Sequence, residues 1–110
     1  MLKYLFDVFL QTIKERDRLF LSLNERGVGK TYVINELGFT LQALEYEPYI
    51  LTINPIREYF AVDFIINVDY LRGIHIEKAV ILVDEYDFNK MDEILDYCSC
   101  YKIPIVGFVR

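Results

Sequence analysis

The stretch Ala79-Val80-Ile81-Leu82-Val83 is an unbroken apolar run, followed at once by the acidic pair Asp84-Glu85. A strand that is buried on both faces has this continuous apolar character, whereas a half-exposed strand alternates apolar and polar residues. The run therefore predicts a central strand of a parallel sheet. Parallel strands need long crossover connections, which are usually helices.

The segments before this strand alternate between helical and extended patterns. Apolar residues recur at helical spacing from Leu2 to Ile13 and predict an amphipathic helix over residues 2–16, so that residues 1–16 form an amino-terminal helical segment. We then expect a strand over residues 18–23, a glycine-containing loop, a helix over residues 30–45 and a strand over residues 49–53. A short helix over residues 56–61, a strand over residues 62–68 and a turn at Arg72-Gly73 complete this part.

The segments after the central strand continue the alternation. Asp87 is placed to cap a helix over residues 88–101, and Pro104 opens a last strand, Ile105–Val109. The inward face of that helix is predicted to carry Phe88, Met91, Ile94, Leu95 and Cys98. Strands that alternate with helices predict an α/β fold, a three-layer α-β-α domain with a small, mostly parallel sheet of four to five strands. At 110 residues, the chain fits a single domain over residues 1–110.

The amino-acid composition limits the classes of binding partner and the cellular location that we expect. The net charge of -5 does not support a large nucleic-acid surface, which needs clustered lysine and arginine, so nucleic acid is not favoured as a partner. No apolar run approaches the roughly 20 residues of a membrane span, and no secretory signal is apparent, so we expect no membrane and a cytoplasmic location. Cys98 and Cys100 lack a second pair for a zinc site and are expected to be reduced thiols.

The loop between the first strand and the second helix follows the P-loop, or Walker A, pattern of glycine, four residues, then Gly-Lys-Ser/Thr. Gly29-Lys30-Thr31 match it, and Asn24 stands where the first glycine belongs. Asparagine tolerates a positive φ better than most residues, so the turn can still form. The alternative is an ordinary glycine-containing turn that lysine and threonine happen to follow.

The chemistry of such a loop explains its spacing. Glycines let backbone N–H groups face an anion, and the positive end of the following helix points to the same place. Lys30 is placed to reach the β- and γ-phosphates of ATP or GTP, and the Thr31 hydroxyl to bind Mg²⁺. The predicted nucleotide-binding residues are Asn24, Glu25, Arg26, Gly27, Val28, Gly29, Lys30, Thr31 and Tyr32. Most aromatic residues fall at core-facing positions, and stacking on a base stays an open alternative for Tyr32.

The acidic pair ends the central strand as a Walker B motif does. By analogy with P-loop ATPases, we expect this strand to lie beside the strand that precedes the phosphate loop. Asp84 would then lie near the magnesium ion. Asp84 and Thr31 are then the metal ligands, while Glu85 orients or deprotonates the attacking water and shares the catalytic role with Lys30. Alternatively, the two carboxylates form an ordinary polar strand end.

Together these motifs resemble the P-loop NTPases of the additional-strand catalytic glutamate class, over about residues 18–110. Arg26 makes the loop similar to that of phage terminase large subunits, which hydrolyse ATP to package DNA, and Tyr70-Leu71-Arg72-Gly73 resembles a turn found in terminases and in PhoH-like and helicase-type ATPases. The segments Asp84-Glu85-Tyr86-Asp87-Phe88 and Ile103-Pro104-Ile105-Val106-Gly107-Phe108 are similar to thymidine kinases. The resemblance implies a P-loop NTPase-like domain that binds ATP, or GTP, with Mg²⁺.

Three functions remain open at this level. The first is a magnesium-dependent ATPase related to the nucleic-acid motors of viruses or mobile elements. The second is a protein-interaction module, nucleotide-dependent or degenerate and without turnover, which acts as a homo-oligomer or with a protein partner. The third is a phosphotransferase similar to nucleoside kinases.

Overall fold

The computed structural model describes residues 2–22, 29–53, 63–64 and 68–110. The predicted short helix over residues 56–61 lies outside the described residues, as does most of the predicted strand over residues 62–68. No helix in the described part of the chain has the length and apolar character needed to cross a membrane.

The described residues form three α-helices around one parallel sheet. The helices are α1 (Leu2–Lys14), α2 (Lys30–Ala43) and α3 (Asp92–Tyr101). The strands are β1 (Arg18–Leu21), β2 (Glu47–Thr52), β3 (Asp63–Phe64), β4 (Ala79–Tyr86) and β5 (Ile105–Val109). They pair in the order β1-β5-β4-β2-β3, and every pairing is parallel. The predicted α/β class, with a small parallel sheet, is confirmed.

Helices cover both faces of the sheet, which gives the predicted three layers. Val80 and Leu82 point to the face covered by α1 and α2, where they pack with residues such as Phe9, Ile34 and Leu37. The alternate residues of β4 point to the other face, where they pack with α3 and with the 3₁₀ turn Val68–Gly73. Successive residues of β4 are thus assigned to opposite layers, as the two-residue period of a strand requires.

Both α1 and α2 begin at the carboxyl edge of the sheet, where the strands end. The carboxyl end of α1 leads into β1, and Arg16 donates hydrogen bonds to the carbonyl oxygens of Ile76 and Glu77, just before β4 begins. Because α1 therefore ends at the edge where strands start, its first turns lie at the opposite edge. The first turn of α2 contacts the end of β4 through Thr31, which places it at that same carboxyl edge.

The prediction of a helix over residues 88–101 is wrong for its first residues. Asp87 caps a short 3₁₀ turn, Phe88–Lys90, by accepting a hydrogen bond from the Asn89 amide at 3.0 Å. Met91 follows as the N-cap residue of α3, which begins at Asp92. As a result Phe88 is exposed and rests edge-on against Phe20, whereas Met91, Ile94 and Cys98 are buried as predicted and Leu95 is partly buried.

Candidate functional site

The first turn of α2 is set by a glycine in the left-handed conformation. Gly29 has φ 85° and ψ 25°, a region that glycine enters without the steric cost that a Cβ imposes. Its carbonyl oxygen accepts the first helical hydrogen bond, from the Val33 amide at 3.0 Å. The first N–H groups of a helix have no acceptor within the helix, and the helix dipole makes this end positive. Lys30 and Thr31 are the first two residues of this turn.

Thr31 meets Asp84 directly across the edge of the sheet. The Thr31 hydroxyl donates to Asp84 Oδ2 at 2.9 Å, a contact between residues 53 positions apart in the chain. Asp84 is fully buried and lies at an even position of β4, on the α2 face with Val80 and Leu82. Burial of a carboxylate is costly unless hydrogen bonds or cations offset it, so a buried aspartate at a strand end indicates a site rather than general solvation.

Glu85 reaches the same place because β4 is irregular at that residue. Asp84 pairs with Phe108 and Tyr86 pairs with Val109, so Glu85 is an additional residue that forms a β-bulge. Its φ of 57° is left-handed. Strict alternation would place Glu85 on the α3 face with Val83, but the bulge re-aims its side chain. Glu85 Oε1 lies 3.5 Å from Lys30 Nζ, with the two side chains 31% and 12% exposed.

Gly107 allows β5 to pack closely beside the bulge. It pairs with Val83 and has φ 149°. A Cβ at this position would lie 2.0 Å from the Val83 carbonyl oxygen and 2.7 Å from its amide nitrogen. No side chain fits that space, so glycine is needed for this close pairing of β5 with β4.

One expectation about the sheet is wrong. The strand that ends in Asp84 does not lie beside the phosphate-loop strand, because β5 pairs with both β1 and β4 and separates them. Asp84 nevertheless reaches Thr31, because α2 packs over β4 and β2, with Ile34 and Leu37 against Val80 and Leu82. The crossover of α2, rather than strand adjacency, brings the two motifs together.

The predicted site residues fall into three groups. Gly29, Lys30, Thr31, Asp84 and Glu85 are brought together at the carboxyl edge. Tyr32 lies apart from them, 61% exposed, on the side of α2 that faces α1. The remaining predicted residues, Asn24, Glu25, Arg26, Gly27 and Val28, lie outside the described residues.

Sequence reasoning missed the residues of α1 that line a groove beside Tyr32. Lys3, Phe6 and Asp7 form one wall of this groove, and Tyr32, Val33 and Glu36 form the other. The available signal was weak: Lys3 and Asp7 are spaced by one helical turn and flank an aromatic residue, a pattern that surface helices commonly show.

Thr31 and Asp84 offer oxygen donors, the type of ligand that magnesium prefers. Two cis ligands of an octahedral ion with metal–oxygen distances of about 2.0–2.1 Å lie about 2.9 Å apart. Thr31 Oγ1 and Asp84 Oδ2 are hard oxygen donors at that separation, 2.9 Å. Within the described ranges, no group of three or more His, Cys, Asp or Glu side chains is placed to hold a metal. Magnesium that accompanies a phosphate takes most of its ligands from phosphate oxygens and waters.

Comparisons of the chain with protein-family models, with curated proteins and with solved structures found no match. The resemblance to P-loop NTPases is therefore carried by the residues of this chain alone.

Proposed function

We propose that this protein is a small P-loop nucleoside-triphosphatase, which binds ATP or GTP with Mg²⁺ at the carboxyl edge of its sheet and hydrolyses the terminal phosphate. The observation that carries the proposal is the contact between Thr31 and Asp84 at 2.9 Å, beside the contact between Lys30 and Glu85 at 3.5 Å. In each pair, a residue of the phosphate-loop motif contacts a residue of the acidic pair at the end of β4.

Each side chain has a distinct task in this proposal. The positive end of α2 and the Lys30 ammonium attract the β- and γ-phosphates. The Thr31 hydroxyl and the Asp84 carboxylate hold Mg²⁺, which when bound neutralises negative charge on the phosphates. Glu85 orients the attacking water and accepts its proton, a role for which a carboxylate at the end of the same strand is well placed.

The ion pair between Lys30 and Glu85 links binding to catalysis. In the structure the Lys30 ammonium lies beside the Glu85 carboxylate. A bound γ-phosphate competes for that ammonium, because phosphate oxygens are strong acceptors for a lysine N–H. Transfer of Lys30 to the phosphate frees Glu85 to face the attacking water. Glu85 thus becomes available as a base when there is a phosphate to hydrolyse.

The sheet topology supports the class suggested by the motifs. The resemblance is to a class named for an additional strand, and the order in which β5 lies between β1 and β4 is compatible with such a strand. A cytoplasmic location goes with this proposal, in agreement with the free thiols of Cys98 and Cys100. A homo-oligomer or a protein partner is part of the proposal as well, because some NTPases take an arginine in trans from another protein to stabilise the transition state.

The test of binding is titration calorimetry of the purified protein with Mg·ATP and Mg·GTP. Lys30→Ala should weaken binding by at least about tenfold, because it removes a charge-assisted contact to phosphate. Lys90→Ala removes an exposed lysine from the 3₁₀ turn before α3 and is the matched control, with affinity expected within about twofold of the original. Equal affinities of the Lys30→Ala variant and the original protein would remove the phosphate site from the proposal.

The test of turnover is the release of inorganic phosphate. Glu85→Gln should keep Mg·ATP bound and lower the rate at least about a hundredfold, since the amide cannot accept the proton of water. A rate unchanged by this substitution would exclude Glu85 as the base. Binding without any phosphate release by the original protein would favour the interaction module.

A further inference from the structure

A groove runs between the first halves of α1 and α2, next to the proposed phosphate site. It has a volume of about 320 Å³ and is lined, in the described part of the chain, by Lys3, Phe6, Asp7, Tyr32, Val33 and Glu36. Both helices begin at the carboxyl edge of the sheet, so the groove opens at the same edge as the pair Thr31 and Asp84.

We propose that this groove binds the base of the nucleotide, and that its carboxylates favour a base with an exocyclic amino group. The inference rests on the proposed phosphate site, to which the base is joined through the ribose. It assigns to α1 a part in nucleotide binding that no motif of the sequence indicates.

The size and lining of the groove suit a flat ring. Pockets that bind small molecules have volumes of about 300–1,000 Å³, so the groove is large enough to take part of a nucleotide. Val33 is buried and Phe6 is partly buried against the core, which makes the floor apolar. Tyr32 is 61% exposed, so its ring is accessible to a base that stacks on it.

The rim of the groove carries charges that suit a base with an exocyclic amino group. Asp7 and Glu36 supply carboxylate acceptors, one from each helix, and Lys3 supplies a donor. Adenine and guanine both present an exocyclic amino group that donates and ring atoms that accept. A base without that amino group offers these carboxylates one donor fewer, so we expect it to bind more weakly.

The groove and the proposed phosphate site both involve the first turn of α2. Tyr32 directly follows Thr31 in this turn, and its side chain projects about 100° around the helix axis from that of Thr31, toward α1. Val33 and Glu36 continue the same wall along the next turn of the helix. A nucleotide with its phosphates at the start of α2 therefore has its base within reach of this wall.

The first experiment compares Mg²⁺ complexes of ATP, GTP, inosine triphosphate and inorganic tripolyphosphate by titration calorimetry. Base stacking contributes about a five- to hundredfold gain in affinity, so ATP or GTP should bind at least about fivefold more tightly than tripolyphosphate, which has no base. Inosine triphosphate lacks the exocyclic amino group and should bind more weakly than the preferred nucleotide. Tripolyphosphate binding as tightly as both ATP and GTP would overturn the base site but leave the phosphate site standing. Absence of binding by all four ligands would overturn both.

The second experiment locates the base on Tyr32. In Tyr32→Ala, the ratio of the dissociation constants of tripolyphosphate and the preferred nucleotide should fall at least about fivefold, because stacking is lost from the nucleotide alone. Tyr4→Ala is the matched control: Tyr4 is a tyrosine of α1 that is 69% exposed and does not line the groove, and its removal should leave the ratio unchanged. A ratio unchanged in Tyr32→Ala, with circular dichroism showing a folded protein, would place the base elsewhere.

Discussion

At the scale of single residues, Gly107 decides how closely β4 and β5 approach. A Cβ there would lie 2.0 Å from the Val83 carbonyl oxygen, and φ is 149°. Gly107→Ala should therefore lower the free energy of unfolding by at least about 3 kcal/mol, from overpacking against backbone together with conformational strain. Urea denaturation followed by circular dichroism measures this change.

Gly73 provides the control for that substitution. A Cβ at Gly73 would meet nothing within 4 Å. Gly73→Ala should shift the free energy of unfolding by less than about 1 kcal/mol. Equal effects of the two substitutions would contradict the close approach of the strands at Gly107.

The two cysteines differ in their surroundings and should differ in reactivity. Burial raises the pKa of the Cys98 thiol to about 12, while Cys100 is exposed on the same helix. The thiolate is the reactive form, so at pH 8 the folded protein should take up one equivalent of iodoacetamide, at Cys100, as peptide mass spectrometry can show. A raised pKa in the folded state also means that stability falls above about pH 9, where the unfolded thiol ionises and the folded one does not. Rapid alkylation of Cys98 in the folded protein would contradict its burial.

At the scale of elements, the bulge in β4 determines toward which face of the sheet the Glu85 side chain points. Glu85 has φ 57°, a region in which an L-residue costs about 1–2 kcal/mol and glycine does not. Glu85→Gly should therefore be more stable than Glu85→Ala by about 0.5–1 kcal/mol, even after the entropic cost of glycine. Denaturant titration of the two variants measures the difference. In a regular strand the order is reversed, so a more stable alanine variant would contradict the bulge.

The sequence predicts the identity of β4 well and the direction of its last side chains poorly. The apolar run from Ala79 to Val83 indicates a buried strand, and the structure has one there. Whether Asp84 and Glu85 face one side or two depends on the bulge, which arises from the pairing of Asp84 and Tyr86 with β5, a strand about 20 residues further along the chain. The local sequence pattern does not predict such pairing with a distant strand.

The start of α3 shows a similar limit at a helix end. The apolar spacing from Phe88 to Cys98 predicts a single helix, but the hydrogen bond from the Asn89 amide to Asp87 stabilises a 3₁₀ turn first. Side-chain bonds to the local backbone compete with the helix at its first turn. The residues of the core, such as Ile94 and Cys98, are unaffected by this shift and were predicted correctly.

At the scale of the whole molecule, the site depends on contacts between distant parts of the chain. The motif residues Lys30, Thr31, Asp84 and Glu85 can be named from sequence because their spacing along the chain is characteristic. The interposed strand β5 cannot be inferred in this way, since strand order is a property of the assembled sheet. The groove residues of α1 cannot be predicted for the same reason. Lys3 and Asp7 line a groove only because α1 lies beside α2 in the folded chain.

Thr31 and Asp84 are proposed to act on one magnesium ion beside the phosphates. Asp84→Asn isolates the charge, because the side-chain carbonyl oxygen of asparagine can still accept the hydrogen bond that Thr31 donates at 2.9 Å. Thr31→Val removes the hydroxyl and Thr31→Ser retains it. Asp92→Asn changes an exposed carboxylate at the start of α3 and serves as the control.

The decisive quantity is the ratio of the ATP dissociation constants without and with Mg²⁺, measured by titration calorimetry. The original protein, Thr31→Ser and Asp92→Asn should bind ATP at least about tenfold more tightly with Mg²⁺, a difference of about 1.4 kcal/mol or more. Asp84→Asn and Thr31→Val should lose this advantage, so that the ratio approaches one. A full magnesium effect in folded Asp84→Asn would contradict the claim that the buried end of β4 holds the ion.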